Sequence, residues 1–296
     1  MENNKGIVVL SCFDGMSCGQ IALNRAGISY SKYYSSEIDK YAIKVTQHNY
    51  PETIQLGSIA DINCTDLPQV DLLIGGSPCQ GFSFAGKQLA FDDPRSRLFF
   101  EFLRLQKECK PRYWLLENVK MKKIYQDIIS EHLQIEPVNI NSALFSAQNR
   151  KRLYWTNIPI NEVIQQKNIT VMDILDYSAN HKNLTEIAIK KHLKYGRNYK
   201  ATGKSPALTT EIAHGTGKNI TPKCHLEIKA ITGQDRVFSP LECERLQTVP
   251  DNYTSCVSDT QRYKMLGNGW TVDVITHIFK SLFKNCKTQT SLVSDL

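Results

Sequence analysis

The first half of the chain alternates short apolar runs with helically spaced segments, and no other feature limits its fold as much. GIVVLS (6–11), KYYSSE (32–37), TIQLGS (53–58), DLLIGG (71–76) and RYWLLEN (112–118) have the length and the β-branched or aromatic content of strands. Between the last two, SRLFFEFLRLQKECK sets Leu98, Phe99, Phe102 and Leu103 on one stripe, with Arg104, Lys107 and Glu108 elsewhere. Such alternation implies an α/β fold with a doubly wound, mostly parallel sheet, because parallel neighbours need a crossover that a helix supplies. These sheets bind ligands beyond the carboxyl ends of their strands, where the strand order reverses. The strand ends are where the chemistry is to be sought.

The first strand runs into FDGMSCGQIALNRAGI, where Gly15 and Gly19 permit a tight turn, a close approach to a ligand and a helix N-terminus facing the crevice. Glu37 ends the second strand 22 residues past Gly15, close to the spacing at which dinucleotide folds hold a ribose with an acid. A plain strand-turn-helix explains the same glycines, and a nicotinamide cofactor stays open at this point. Cys79 stands just past the end of the fourth strand and Glu117 at the end of the fifth. As neighbours they lie roughly 5 Å apart between backbones. Taken singly, a cysteine is most often an inert buried thiol and a strand-end glutamate a surface acid. Together beside a nucleoside site they suit one chemistry. A thiolate adds to an electron-poor ring carbon, and a carboxylic acid bonded to the ring makes that carbon more electrophilic.

Composition narrows the setting. With 296 residues, 41% of them hydrophobic, the chain can bury a large core. MENNKGIVVLS lacks a basic leader, and no run approaches the roughly 18 apolar residues of a membrane span. An intracellular protein with no membrane partner is expected, cytoplasmic or nucleoid-associated if bacterial or viral. The nine cysteines contain no C-x-x-C pair, so reduced thiols, no disulfide framework and no metal site are expected. The net charge of +7 is carried by residues 181–229, where ten Lys and Arg face three acids. A solvated loop region is the ordinary explanation. The segment's Gly, Thr, Asn, Tyr and His content also suits contacts to phosphates and base edges.

Read in order, SCFDGMSCGQ, SEIDKYA, GGSPCQGFSFAGKQ, ENVK, QNRKRLYW, RVFSPLECERLQTVPDNY and LGNGWTVDVI resemble the successive motifs of the DNA cytosine-5 methyltransferases. The basic segment falls where that family carries its variable target-recognition region. Ser77 and LGNGW resemble the vertebrate de novo branch, and GKQLAFDDPRSRLFF the bacterial restriction-modification enzymes. The resemblance implies a class I S-adenosylmethionine-dependent, Rossmann-like catalytic domain over 1–160, a smaller target-recognition domain over 161–261, and a C-terminal part, 262–296, packing back on the first. Its final helix carries Val274, Ile275, Ile278, Phe279 and Leu282 on one side for packing on the sheet.

The resemblance also implies roles. Cys79 is the covalent nucleophile, Glu117 the acid on the cytosine ring and Asn118 its tether. Arg152 holds the ring carbonyl oxygen, and Arg150 supports the site. S-adenosylmethionine is the cofactor: Phe13 stacks on its adenine, Glu37 and Ile38 meet the ribose side, and Asp14, Gly15, Met16, Gly19 and Asn268 meet the methionine end. Ile59, Pro78, Leu98 and Trp270 complete its surroundings. Ser58 stands where the family offers an acid to the adenine, with Asp61 as the alternative. Gln80, Ser83, Lys87, Arg95 and Arg97, on a loop closing over double-stranded DNA, and Arg197 and Lys204 in the basic segment, are the DNA contacts. A monomer, acting on a flipped-out cytosine and paired with a cognate restriction endonuclease, is the expected setting. A tRNA methyltransferase is less well matched, since the loop reads SPCQGF without that branch's usual PPCQPF, and an inactive regulatory paralogue would not keep both Cys79 and Glu117. Replacing Lys and Arg in 181–229 by Gln is expected to flatten the salt dependence of DNA binding, by ~0.9 in log–log slope for each phosphate no longer neutralised. Titrations at several salt concentrations check this, and an unchanged slope moves the DNA cleft elsewhere.

Overall fold

The computed structural model describes residues 6–78, 97–160, 164–177, 198–199, 203–208, 225–226 and 238–282. Its strands are β1 (Ile7–Cys12), β2 (Tyr30–Ser36), β3 (Ile54–Gln55), β4 (Leu72–Gly76), β5 (Tyr113–Val119), β6 (Val138–Asn141), β7 (Gln148–Asn149) and β8 (Lys151–Thr156), followed by the two-residue β9 (Asn198–Tyr199), β10 (Ser205–Pro206) and β11 (His225–Leu226). Among the described residues the helices are α1 (Cys18–Ala26), α2 (Lys40–Asn49), α3 (Arg97–Cys109), α4 (Lys123–Leu133), α5 (Pro240–Leu246), α6 (Asp259–Asn268) and α7 (Val272–Phe279).

A seven-stranded sheet has the order β3-β2-β1-β4-β5-β8-β6. All its pairings are parallel except those made by β8, which runs against both β5 and β6. The order reverses between β1 and β4, so a crevice opens beyond their carboxyl ends. Both faces are covered, because alternate residues of each central strand enter different cores. Val9, Leu72, Ile74, Leu115 and Tyr154 join one cluster with Ile21 and Leu23 of α1. Leu10, Leu73, Leu116, Leu153 and Trp155 join the other with Phe99 and Phe102 of α3.

The expected strands are present, with TIQLGS reduced to Ile54–Gln55. The stripe expected on α3 is buried at Phe99, Phe102 and Leu103 and half-buried at Leu98. Val274, Ile275, Ile278, Phe279 and Leu282 are likewise buried, and α7 reaches the sheet through α1. Phe238, Cys243, Leu246, Val249 and Tyr253 share that cluster with the sheet. Among the described residues, no helix is long and apolar enough to cross a membrane, and no group of three metal-ligating side chains occurs.

Two expectations are corrected. Cys64 and Cys109 are joined in a disulfide across 45 residues. The helix α3 packs its end on the turn at Cys64–Asp66, and a contact made by tertiary packing leaves no C-x-x-C signature. Gly19 does not line the ligand crevice but admits the sheet. A Cβ there would stand 2.6 Å from Ile74 Cδ1 and 2.7 Å from Tyr33 Oη. Among the described cysteines outside the disulfide, Cys12, Cys18 and Cys243 are buried and Cys256 is half-buried. Burial pushes Cys18 up to about 12 and raises Cys12 further, the Asp14 charge adding to it.

Gly19→Ala is expected to lower stability by about 1–3 kcal/mol through overpacking, measured by thermal or urea unfolding. With almost no thiolate at pH 8, Cys12 and Cys18 should stay unlabelled by iodoacetamide in the folded protein while Cys256 reacts. Cys64 and Cys109 should label only after reduction, and peptide mass spectrometry reads all five.

Candidate active site

Beyond β1 and β4 lies a cavity of about 400 Å³, within the usual range of small-molecule sites. One end is walled by Phe13, Gly15, Met16, Glu37, Ile38, Ser58 and Ile59, the other by Ser77, Pro78, Glu117, Asn118 and Arg152. Leu98 of α3 and the loop from Gly267 to Trp270 form further walls. One continuous space therefore joins the expected cofactor residues to the expected acid.

The turn after β1 holds two non-glycine residues at positive φ, Phe13 (56°) and Ser17 (61°). What fixes it is Asp14, whose carboxylate is directed into the protein. It accepts hydrogen bonds from Ser11 Oγ (2.6 Å), Tyr33 Oη (2.7 Å), Ser35 Oγ (3.0 Å) and Ser17 Oγ. Burial pushes its carboxyl above the usual range, and the four hydroxyl bonds oppose that rise. Asp14 thus shapes the turn with its side chain, and it also lines the cavity, where the resemblance sets the methionine end. Glu37 is held by three backbone amides, Gly15 on Oε2 and Ile38 and Asp39 on Oε1, each at 2.8 Å. This locks the exit of β2 to the turn after β1. Ile38 stands at the cavity wall 78% exposed, an apolar face with nothing packed over most of it. Ser58 caps the short helix Ile59–Asp61 by accepting from Ala60 N–H at 3.3 Å. Ser58 and Ile59 line the cavity, and Asp61 is exposed and outside its walls.

These walls fit a group with an aromatic base, a sugar and a polar tail. Phe13, Ile38, Ile59 and Leu98 offer apolar faces, Glu37 a fixed carboxylate, and the turn and the 267–270 loop offer backbone polar groups.

At the other end, β4 and β5 pair in register with Gly76 opposite Glu117. Glu117 is 8% exposed. Its Oε1 lies 3.0 Å from Arg152 Nε, and its Oε2 accepts from Trp270 Nε1 at 3.0 Å. Arg152 comes from β8, in register opposite Val119. Asn118 donates to Ser77 Oγ at 2.9 Å, tethering the two strand ends. Arg150 is buried, with its guanidinium donating to Leu208 O (3.0 Å), Gly267 O (3.1 Å) and Gly269 O (2.9 Å).

Sequence reasoning gave no role to two fully buried glutamines beside it. Gln247 donates to Leu266 O (2.6 Å) and Gly269 O (3.2 Å), and Gln148 donates to Leu246 O (3.1 Å) and accepts from Leu208 N–H (2.7 Å). In sequence they stand in polar surroundings, SAQNR and ERLQT, which gave no sign of their burial.

Cys79, Gln80, Ser83, Lys87, Arg95 and Arg197 lie outside the described residues. Arg97 is the exposed first residue of α3. Lys204, expected on DNA, instead spends its ammonium on Ser146 O (2.8 Å) and Ile169 O (2.5 Å), and burial lowers its pKa. It cross-links backbone segments.

Residues 7–284 match the family model described as C-5 cytosine-specific DNA methylase. The chain is 32% identical to the type II methyltransferase M1.ScrFI of Lactococcus lactis subsp. cremoris, an alignment covering 85% of this chain and 72% of the relative. It is 29% identical to the type II methyltransferase M.NlaX of Neisseria lactamica over 97% of this chain and 98% of the relative. Among solved structures, the Entamoeba histolytica methyltransferase EhMeth superposes with a TM-score of 0.74 at 17% identity, covering 96% and 99% of the two chains, a likeness of fold. With the cavity, the paired strand ends and the family match over nearly its whole length, the chain belongs to the C-5 cytosine-specific DNA methylase family.

Proposed function

We propose that this chain methylates carbon 5 of a cytosine flipped out of duplex DNA, through a covalent adduct with Cys79. The observation that carries this reading is the single cavity running from Phe13, Glu37 and Ile38 to Glu117, Asn118 and Arg152. Cys79 follows Gly76, the register partner of Glu117, by three residues.

In this reading Phe13, Ile38 and Ile59 enclose the adenine of S-adenosylmethionine, Glu37 the ribose, and Gly15, Asn268 and the neighbouring backbone the amino-acid end. When bound, S-adenosylmethionine supplies an electrophilic methyl group that carbon 5 of the activated ring takes up. The residues of the chain make that ring reactive. The Cys79 thiolate forms a bond to carbon 6, while Glu117 gives its proton to ring nitrogen 3, leaving an enamine. Arg152 holds the ring carbonyl oxygen. Among the described residues it commits Nε to Glu117 and one terminal nitrogen to Lys151 O, so its other terminal nitrogen serves the ring. Loss of the carbon 5 proton to a base then breaks the carbon–sulfur bond, and nitrogen 3 returns its proton to Glu117. A target carbon inside a stacked duplex is out of reach, so the base must be extruded at a cost of a few kcal/mol. In this reading residues 80–96 close over the DNA, which offsets that cost.

The smaller domain, 161–261, supplies the sequence-reading contacts from its basic residues, Arg197 among them. The type II names of the relatives support a restriction-modification setting, and a cognate endonuclease and an intracellular monomer belong to the same proposal.

The test is transfer of labelled methyl from S-adenosylmethionine to duplex DNA and, separately, to tRNA, with the modified base identified. Label as 5-methylcytosine in DNA supports the reading; label in tRNA alone reassigns the substrate, and label in neither overturns it. Cys79→Ala should bind DNA and transfer no methyl above background. Glu117→Gln should lose about 10²–10⁴ in kcat, the usual worth of a positioned acid.

A further inference from the structure

We infer that Trp270 positions the carboxylate of Glu117, so that the loop walling the cofactor cavity also sets the acid for the target ring. The inference rests on the reading of Glu117 as the ring acid. Glu117 is held from two directions, Oε1 by Arg152 Nε and Oε2 by Trp270 Nε1, both at 3.0 Å. The two holders differ in what else they must do. Arg152 also serves the ring carbonyl oxygen, whereas an indole N–H is a lone donor with no second task. It can meet only a lone pair of Oε2, and so it fixes the rotation of the carboxylate about its last bond. Arg152 alone, turning toward the ring, would leave that rotation loose.

The surroundings are built for this contact. A Cβ on Gly76 would stand 2.8 Å from Trp270 Nε1 and 3.0 Å from Glu117 Oε2, so the strand leaves space where the two groups meet. The backbone on either side of the indole is pinned. Arg150 and Gln247 both donate to Gly269 O, and the Cys18 thiol reaches Trp270 O at 3.8 Å. A wall needed only for its apolar face would require neither the glycine nor the directed N–H. Trp270 is thus a positioning residue acting through Glu117, reaching it across 153 residues of sequence.

The experiment is steady-state methylation of duplex DNA by Trp270→Phe, which keeps an aromatic wall and removes the donor. Expected is a fall in kcat of about ten- to a hundredfold, less than the loss of the acid itself. The KM for S-adenosylmethionine should stay within about twofold and the melting temperature should be unchanged. A retained kcat overturns the inference, and so does a raised cofactor KM, which marks Trp270 as a cofactor wall alone. Should Trp270→Phe fail to fold, Gly76→Ala breaks the same contact from the strand side and is judged by the same split. An inactive wild-type enzyme overturns the functional reading itself; an active wild type beside an unaffected variant overturns only the role of Trp270.

Discussion

The site depends on β1 being hydrogen-bonded to β2 on one side and to β4 on the other, both in parallel. Strands leaving in the same direction deliver their exits to one end of the sheet, and the connections depart from β1 and β4 to opposite sides, leaving a gap between them. Into that gap fall the turn after β1, Glu37 after β2, Ser77 and Pro78 after β4, and Glu117 at the end of β5. Turned the other way, any one of these strands would carry its residue to the far edge of the sheet. The apolar alternation that buries each strand on two faces is therefore also what aligns the chemistry.

The cavity walls are made of backbone held by buried or half-buried polar side chains. Asp14 gathers four hydroxyls, Glu37 three amides, and Arg150 and Gln247 together the carbonyls of Leu208, Leu266, Gly267 and Gly269. A buried charge is costly unless its hydrogen-bonding capacity is used, and each of these groups meets several partners. Loops cannot be rigid through apolar packing alone, since their own N–H and C=O groups need partners. Arg150 has a further consequence. It joins Leu208, within the basic segment 181–229, to the loop carrying Trp270, so the segment expected to read DNA and the loop walling the cofactor cavity share one guanidinium.

Much of this was legible from residue order. The strand runs, the α3 stripe and the apolar side of α7 follow from periodicity, and Glu37 and Glu117 follow from being at strand ends. The Cys64–Cys109 disulfide was not legible, because the partners meet only when α3 lands on the turn at Cys64. Gly19 was misjudged for a related reason. A glycine near a turn tells that something comes close, and the structure shows that it is Ile74 and Tyr33 rather than a ligand. Lys204 belongs to a basic stretch by sequence, yet its ammonium donates to two backbone carbonyls, which no charge count reveals.

The sequence by itself determined the α/β class, the mostly parallel character of its sheet and the residue types available at the ends of the first five strands, since these depend on local periodicity and on neighbours within a few positions. Tertiary structure decided the direction in which each polar group points. Asp14 turns inward to four hydroxyls, Glu117 turns to an arginine on the adjacent strand and to a tryptophan 153 residues away, and Gln247 closes on the loop beneath it. Such choices rest on contacts between segments far apart in the chain, where the cost of leaving a buried donor or acceptor unpaired selects one arrangement.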